Sequence, residues 1–194
     1  MRRDFVFVTG SADKRREAAR ILGFEPESHA LDLPERQSLD LAAILKAKAE
    51  AAFAALRRPV LVEDVSFEIA AMNGFPGPLV KWMLAALGAE GLAQAALALG
   101  DGEAKAVCAL AFYDGESLRT FAGETTGHLV AQARGRNGFG WDPVFQPQGS
   151  ELTFAELEPS EKDRFSHRGK AWRAFAAAFR SGTRQGTGFP PSRE

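Results

Sequence analysis

The chain is expected to fold as an α/β protein with a mixed β-sheet. Two observations predict it. Apolar runs of strand type, FVFVTG and PVLVED, alternate with alanine- and leucine-rich runs of helical type in the first half. Asp114-Gly115 gives a hairpin signal between two longer strand-like runs in the second half. Alternation supplies parallel neighbours and a hairpin supplies antiparallel ones, so the sheet is mixed.

Taken in order, Phe5 to Gly10 reads as a buried strand ending at a glycine. SADKRREAARILG reads as a helix: Ser11 or Asp13 caps it, Ala18, Ile21 and Leu22 form its apolar stripe, and Gly23 stops it. A short strand follows near Ser28 to Leu31, then the acidic loop DLPERQ. Leu39 to Leu56 has the composition of a long helix. PVLVEDVSFEIAAM reads as a strand running into a loop, and NGFPGP as a turn cluster. Helices are expected at Leu79 to Leu87 and Gly91 to Leu99, and paired strands at Ala104 to Tyr113 and Leu118 to Val130. A short strand at Val144 and Phe145 and a final helix from Ser166 to Arg180 complete the fold. Residues 1–181 are read as one domain, and the glycine- and proline-rich 182–194 as a disordered tail.

The 194 residues suit one large domain or two small lobes sharing a sheet, and 45% apolar side chains are ample for a core. With 24 basic and 25 acidic side chains there is no cationic footprint, which argues against a nucleic-acid partner. The single cysteine, Cys108, excludes an internal disulfide and a thiol-rich metal site. No run reaches the roughly 18 apolar residues of a membrane span, and the first apolar run is too short for a signal peptide. The expected location is cytoplasmic, without membrane contact.

Four features point to chemistry. GRNGFGWDPVFQP places aromatics among glycines, which suits a loop that stacks on a planar ligand, or rings that plug a core gap. The strand–Gly10–helix unit with Lys14 suits phosphate, or else leaves a solvated lysine. It lacks the spacing of a P-loop or a dinucleotide fingerprint. Glu63 and Asp64 follow the apolar VLV directly, at the strand edge where α/β sheets bind ligands, and Glu35 lies in a loop that can approach them. Carboxylates without histidine or cysteine partners favour magnesium; capping of the next turn is the plainer alternative. EKDRFSHRGKA, finally, gathers Lys162, Ser166, His167, Arg168 and Lys170 around a helix start, with Lys46 and Lys81 on other segments. Phosphates, a hard metal and a stacking loop together describe a nucleoside triphosphate site.

The stretches FVTGSADKRREAARILG, DLPERQ, VLVEDVSFEIAAMNGFPGPLVKWML, GFGWDPVFQP, TFAELEPSEK and SHR, in that order, resemble the inosine triphosphate pyrophosphatase family. The resemblance implies an elongated mixed sheet flanked by helices, two lobes with a central cleft, and a homodimer. It implies magnesium-dependent hydrolysis of ITP, dITP and XTP to the nucleoside monophosphate and pyrophosphate. Carried over by position, Thr9, Gly10, Ser11, Ala12, Asp13 and Lys14 would hold the triphosphate, with charge added by Lys46 and Lys81. Glu35 and Asp64 would serve magnesium, Asp64 also lying near the attacking water with Glu63 as its acidic neighbour. Phe139, Gly140, Trp141 and Asp142 would embrace base and sugar, and Lys162, Ser166, His167 and Arg168 would close the site. Two positions depart from the family pattern: Ser11 stands where asparagine is usual, and Val65 where serine or threonine is usual. Those departures keep in view a nucleotide-binding sensor without catalysis; the nearest enzymatic alternative is a pyrophosphatase of similar architecture for pyrimidine or modified nucleotides, against which FGWDP and SHR argue.

Overall fold

A computed structural model describes residues 4–180. β1 (Val6–Val8) is wholly buried; Val6 and Val8 face one side of the sheet, Phe5 and Phe7 the other. The chain then enters α1 (Ala12–Leu22). Ser11 caps it by accepting the Lys14 amide at 3.2 Å, and Gly23 ends it at φ 75°, left-handed backbone that glycine adopts without steric cost. β2 (Ser28–His29) runs parallel to β1 at the sheet edge. α2 (Leu41–Leu56) starts after Asp40, whose carboxylate accepts the Ala42 and Ala43 amides.

The main departure from expectation is β3 (Val60–Ile69), which does not become a loop after Asp64. Its partner explains this. β5 (Glu103–Tyr113) pairs antiparallel with it along the whole length, from Val60 opposite Tyr113 to Ile69 opposite Ala104. On the other side, β1 stops where Val8 meets Val62, and β4 (Pro76–Gly77) begins pairing only at Phe67. Glu63 to Ser66 therefore lie mid-strand, beside a gap in the sheet between β1 and β4.

The two expected helices after NGFPGP are present as the two halves of α3 (Val80–Leu99), separated at Gly88, whose φ 70° and ψ 178° are not helical. By length and composition this segment could cross a membrane, contrary to the expectation that none reaches that size. The break divides it into pieces shorter than the ~20 residues a crossing takes, and Val80, Leu92, Ala93 and Ala96 are buried in the core. β6 (Leu118–Leu129) forms the expected hairpin with β5, and β7 (Phe145–Pro147) closes that end of the sheet. The last helical region is two elements, α4 (Pro159–Phe165) and α5 (His167–Arg180). Pro159 opens α4, and Glu161 accepts the Glu158 amide at 3.4 Å, a start signal the sequence carries.

The strand order is β2-β1-β3-β5-β6-β7, with β4 attached to β3. At one end α2 packs Val6, Val8, Val60 and Val62 on one face, while α1 and α5 pack Phe7, Leu61, Leu110 and Trp172 on the other. At the other end α3 covers Phe67, Ile69, Ala106 and Phe145. The mixed sheet flanked by helices is thus as the sequence predicts. The tail 182–194 and the domain limit at 181 fall outside the described residues.

Candidate functional site

Because β3 continues through the acidic pair, alternation sends Glu63 and Asp64 to opposite faces of the sheet. The idea of two like charges side by side at a strand end is therefore replaced by two separate environments. Glu63 is 1% exposed and faces α1 and α5. Its Oε1 accepts Arg168 Nε at 3.0 Å and lies 3.3 Å from Lys14 Nζ; its Oε2 accepts Trp172 Nε1 at 3.0 Å. Burial alone would raise its pKa, but Arg168, Lys14 and the indole N–H outweigh that and hold the carboxyl below the usual range.

The same face holds a residue that sequence reasoning missed. Glu17, buried on α1, accepts Lys162 Nζ at 2.8 Å through Oε1 and Arg168 Nη1 at 2.6 Å through Oε2. Lys162 also reaches Asp142 Oδ2 at 2.7 Å. Burial opposes ionisation of Glu17, and the two cations prevail, so its pKa is lowered. Lys14, Glu63, Arg168, Glu17, Lys162 and Asp142 thus form one continuous run of opposite charges from the α1 start to the glycine-aromatic loop. The signal for Glu17 was its spacing, four residues before Ile21 on the apolar stripe, where a carboxylate needs a partner.

Asp64 faces α2. Its Oδ2 lies 3.2 Å from Lys48 Nζ, which also donates to the Glu63 carbonyl at 3.0 Å, and its Oδ1 accepts the Val65 amide at 2.9 Å. The lysine brought here is Lys48, not Lys46. Lys46 sits on the exposed side of α2, 4.0 Å from Glu50. Heptad spacing from Leu41 puts position 48 on the buried face with Leu45 and Ala52, and position 46 off it. Glu35 is drawn to Lys81 at 3.0 Å, both exposed, and has no contact with Asp64. Val65 packs its side chain against the apolar clusters at both ends of the sheet.

Around α1, Thr9 Oγ1 accepts the Ser11 amide at 3.1 Å, the exposed Gly10 and Ala12 flank it, and Asp13 pairs with Arg16. The Ser11 hydroxyl is a helix cap here. Ser166 plays the same part for α5, its Oγ accepting the Gly169 amide at 3.0 Å.

In the loop, the two rings have different surroundings. Trp141 is a core residue, packed on Phe67 at 4.8 Å between centroids. Phe139 is only half-buried, with Lys162 Nζ and Arg168 Cζ each 5.2 Å from its ring centroid. Asp142 holds the loop in place: its Oδ2 accepts the Phe139 amide at 2.7 Å as well as Lys162. Gly138, at φ 73°, leaves room for that carboxylate; a Cβ there would lie 2.1 Å from it. Gly140, also at positive φ, is exposed. His167 lies between Trp141 and Phe154, 1% exposed, with neither ring nitrogen hydrogen-bonded. Burial, then the charges of Arg168, Lys162, Lys14 and Lys170, hold its pKa well below the ordinary value, so the imidazole is neutral.

Among the described residues no three His, Cys, Asp or Glu side chains converge as a metal cage. The donors present still fit magnesium of one kind. Asp64, 24% exposed, offers a hard carboxylate, and Mg²⁺ is commonly held by one or two carboxylates plus substrate phosphates and water.

Fold and site together define a mixed-sheet α/β protein with an ionic and aromatic cluster beside a gap in its sheet. More particularly, the chain belongs to the Ham1 family, whose pattern it matches over residues 5–178. It is 45% identical over 172 residues to an inosine triphosphate pyrophosphatase of Yarrowia lipolytica, covering 86% of this chain and 90% of the relative. Among solved structures, a HAM1 protein from Coxiella burnetii superposes with a TM-score of 0.78 at 25% identity, covering 91% of this chain and 98% of that one. A nucleoside-triphosphatase described as a dITP/XTP pyrophosphatase, from Mycobacterium abscessus, gives 0.66 at 29% identity, covering 89% and 97%.

Proposed function

We propose that this protein hydrolyses deaminated purine nucleoside triphosphates, ITP, dITP and XTP, to the nucleoside monophosphate and pyrophosphate. The observation that carries the reading is the unbroken ionic run joining Lys14, at the start of α1, to Lys162 and Arg168 beside the Phe139 ring. One end suits phosphates, through a helix N-terminus and a lysine. The other suits a planar base. The names of the relatives support the same substrate class.

Phe139 stacks on the purine in this reading, while Lys162 and Arg168 offer donors to its edge. A 6-keto purine accepts hydrogen bonds where adenine's 6-amino group donates them, so ATP would set a donor against the remaining N–H groups of Lys162 and Arg168. Mismatches of that kind reach about 10⁴-fold in well-built sites. Lys14 and the first turn of α1 receive the polyphosphate. Asp64 would hold magnesium together with the phosphates, and the metal would supply Lewis-acid neutralisation of their charge. Asp64 orients the attacking water and takes its proton; Lys48 holds the carboxylate in place. Glu63 serves as the fixed counter-ion of Lys14 and Arg168.

Pyrophosphate release from ITP, dITP, XTP, dTTP and ATP, each with and without magnesium, tests the reading. Release from the keto purines alone, and only with the metal, is expected. Equal rates on ATP or dTTP would overturn the substrate class, and metal-independent release would remove magnesium. The reading also includes a homodimer. The exposed apolar side chains of Leu39, Phe75 and Trp82 are surface such a contact would cover, and light scattering on the purified chain decides it.

A further inference from the structure

We infer that Glu17 is the positioning residue of the base clamp: one buried carboxylate sets the spacing of Lys162 and Arg168 beneath the Phe139 ring. The inference rests on the function proposed above. Lys162 comes from α4, Arg168 from α5 and Phe139 from the loop before them, so nothing within one element fixes their separation. Each cation has a counter-ion of its own, Asp142 for Lys162 and Glu63 for Arg168. Glu17 is the group they share, one oxygen to each, at 2.8 and 2.6 Å. Two like charges confined at one ring repel, and a carboxylate bridging them turns the repulsion into a fixed distance. Glu17 is carried on α1, and Arg20, one turn further on, grips Asp163 of α4 at 2.8 Å, which ties the same two helices together. The helix that begins at the phosphate end thereby holds the base end in register.

Because both cations keep a second partner, Glu17→Gln removes the bridge without leaving either charge alone. The bridging amide has one acceptor and one donor, so one cation faces an N–H and shifts. The expected result is an IMP dissociation constant raised about 10- to 100-fold, the range for hydrogen bonds to charged groups. Inorganic tripolyphosphate, which has no base, should bind as in the wild type. In turnover, KM for ITP should rise far more than kcat falls. Glu17→Asp, which keeps the charge on a shorter stem, should give an intermediate IMP constant, and it carries the test if the glutamine variant does not fold. Unchanged IMP binding in both variants, or equal loss of IMP and tripolyphosphate by calorimetry in a folded variant, overturns the assignment. A wild type that binds IMP yet releases no pyrophosphate from ITP overturns the catalytic reading instead, while the contrast between the two probes still judges Glu17.

Discussion

Glu63 and Asp64 are neighbours along β3 and opposites across the sheet: one is sealed under Arg168 and Trp172, the other is half-open beside Lys48. The two carboxylates therefore have separable roles. Asp64→Asn should lower kcat on dITP about 100-fold or more, the usual scale for losing a general base, and leave the melting temperature nearly unchanged. Lys48→Met should lower kcat less, because the carboxylate remains. Near-normal pyrophosphate release by Asp64→Asn at saturating magnesium would remove Asp64 from the chemistry.

Phe139→Ala should act on binding. Base–aromatic stacking of about 1–3 kcal/mol corresponds to roughly 5- to 150-fold in affinity. KM for dITP should rise by that order with kcat little changed. A KM that stays put would mean the ring only fills space.

His167 gives stability a distinct pH dependence. Its folded pKa is depressed below the unfolded value of about 6.5, so below that pH the unfolded chain binds a proton the folded chain refuses. Stability should fall as pH drops through about 6.5 towards the depressed folded pKa. The lowered carboxylates, Glu17 and Glu63, lose their contributions only at more acidic pH. Urea unfolding at pH 7.5, 6.0 and 5.2 measures the slope. His167→Phe should flatten it, and an equal slope in that variant would place the proton elsewhere.

Gly138→Ala should cost both stability and base binding. The new methyl group meets Asp142 Oδ2 and the backbone sits at φ 73°, so Asp142 must release the Phe139 amide or Lys162. A loss of about 1–3 kcal/mol is expected, together with a higher KM for dITP. An unchanged melting curve would show that the loop has slack at this point.

The local signals were legible where chemistry is local. Ser11 and Gly23 bound α1 as their types predict, and Gly88 divides α3 where two helices were expected. The extension of β3 was not legible, because it depends on a partner strand more than thirty residues away. That single fact moved Glu63 and Asp64 apart. Lys48 and Glu17 were legible in principle, since each lies on the buried stripe of its helix. Lys48 lies outside every quoted stretch, and Glu17 lies inside one without a chemical signal of its own. The pairing of Glu35 with Lys81 was beyond reach, being a contact between an irregular loop and a helix start.

Five cations named around the site already have anionic partners. Lys14, Lys48, Lys81, Lys162 and Arg168 are each engaged by a carboxylate among Glu17, Glu35, Glu63, Asp64 and Asp142, five charges against five. A triphosphate arriving here meets no standing surplus of positive charge. Its entry is an ion-exchange reaction: either it displaces a resident carboxylate from a lysine, or it carries its own cations in. In the proposed reading, the exchange favours a ligand that supplies both a base for Phe139 and neutralised phosphates for α1.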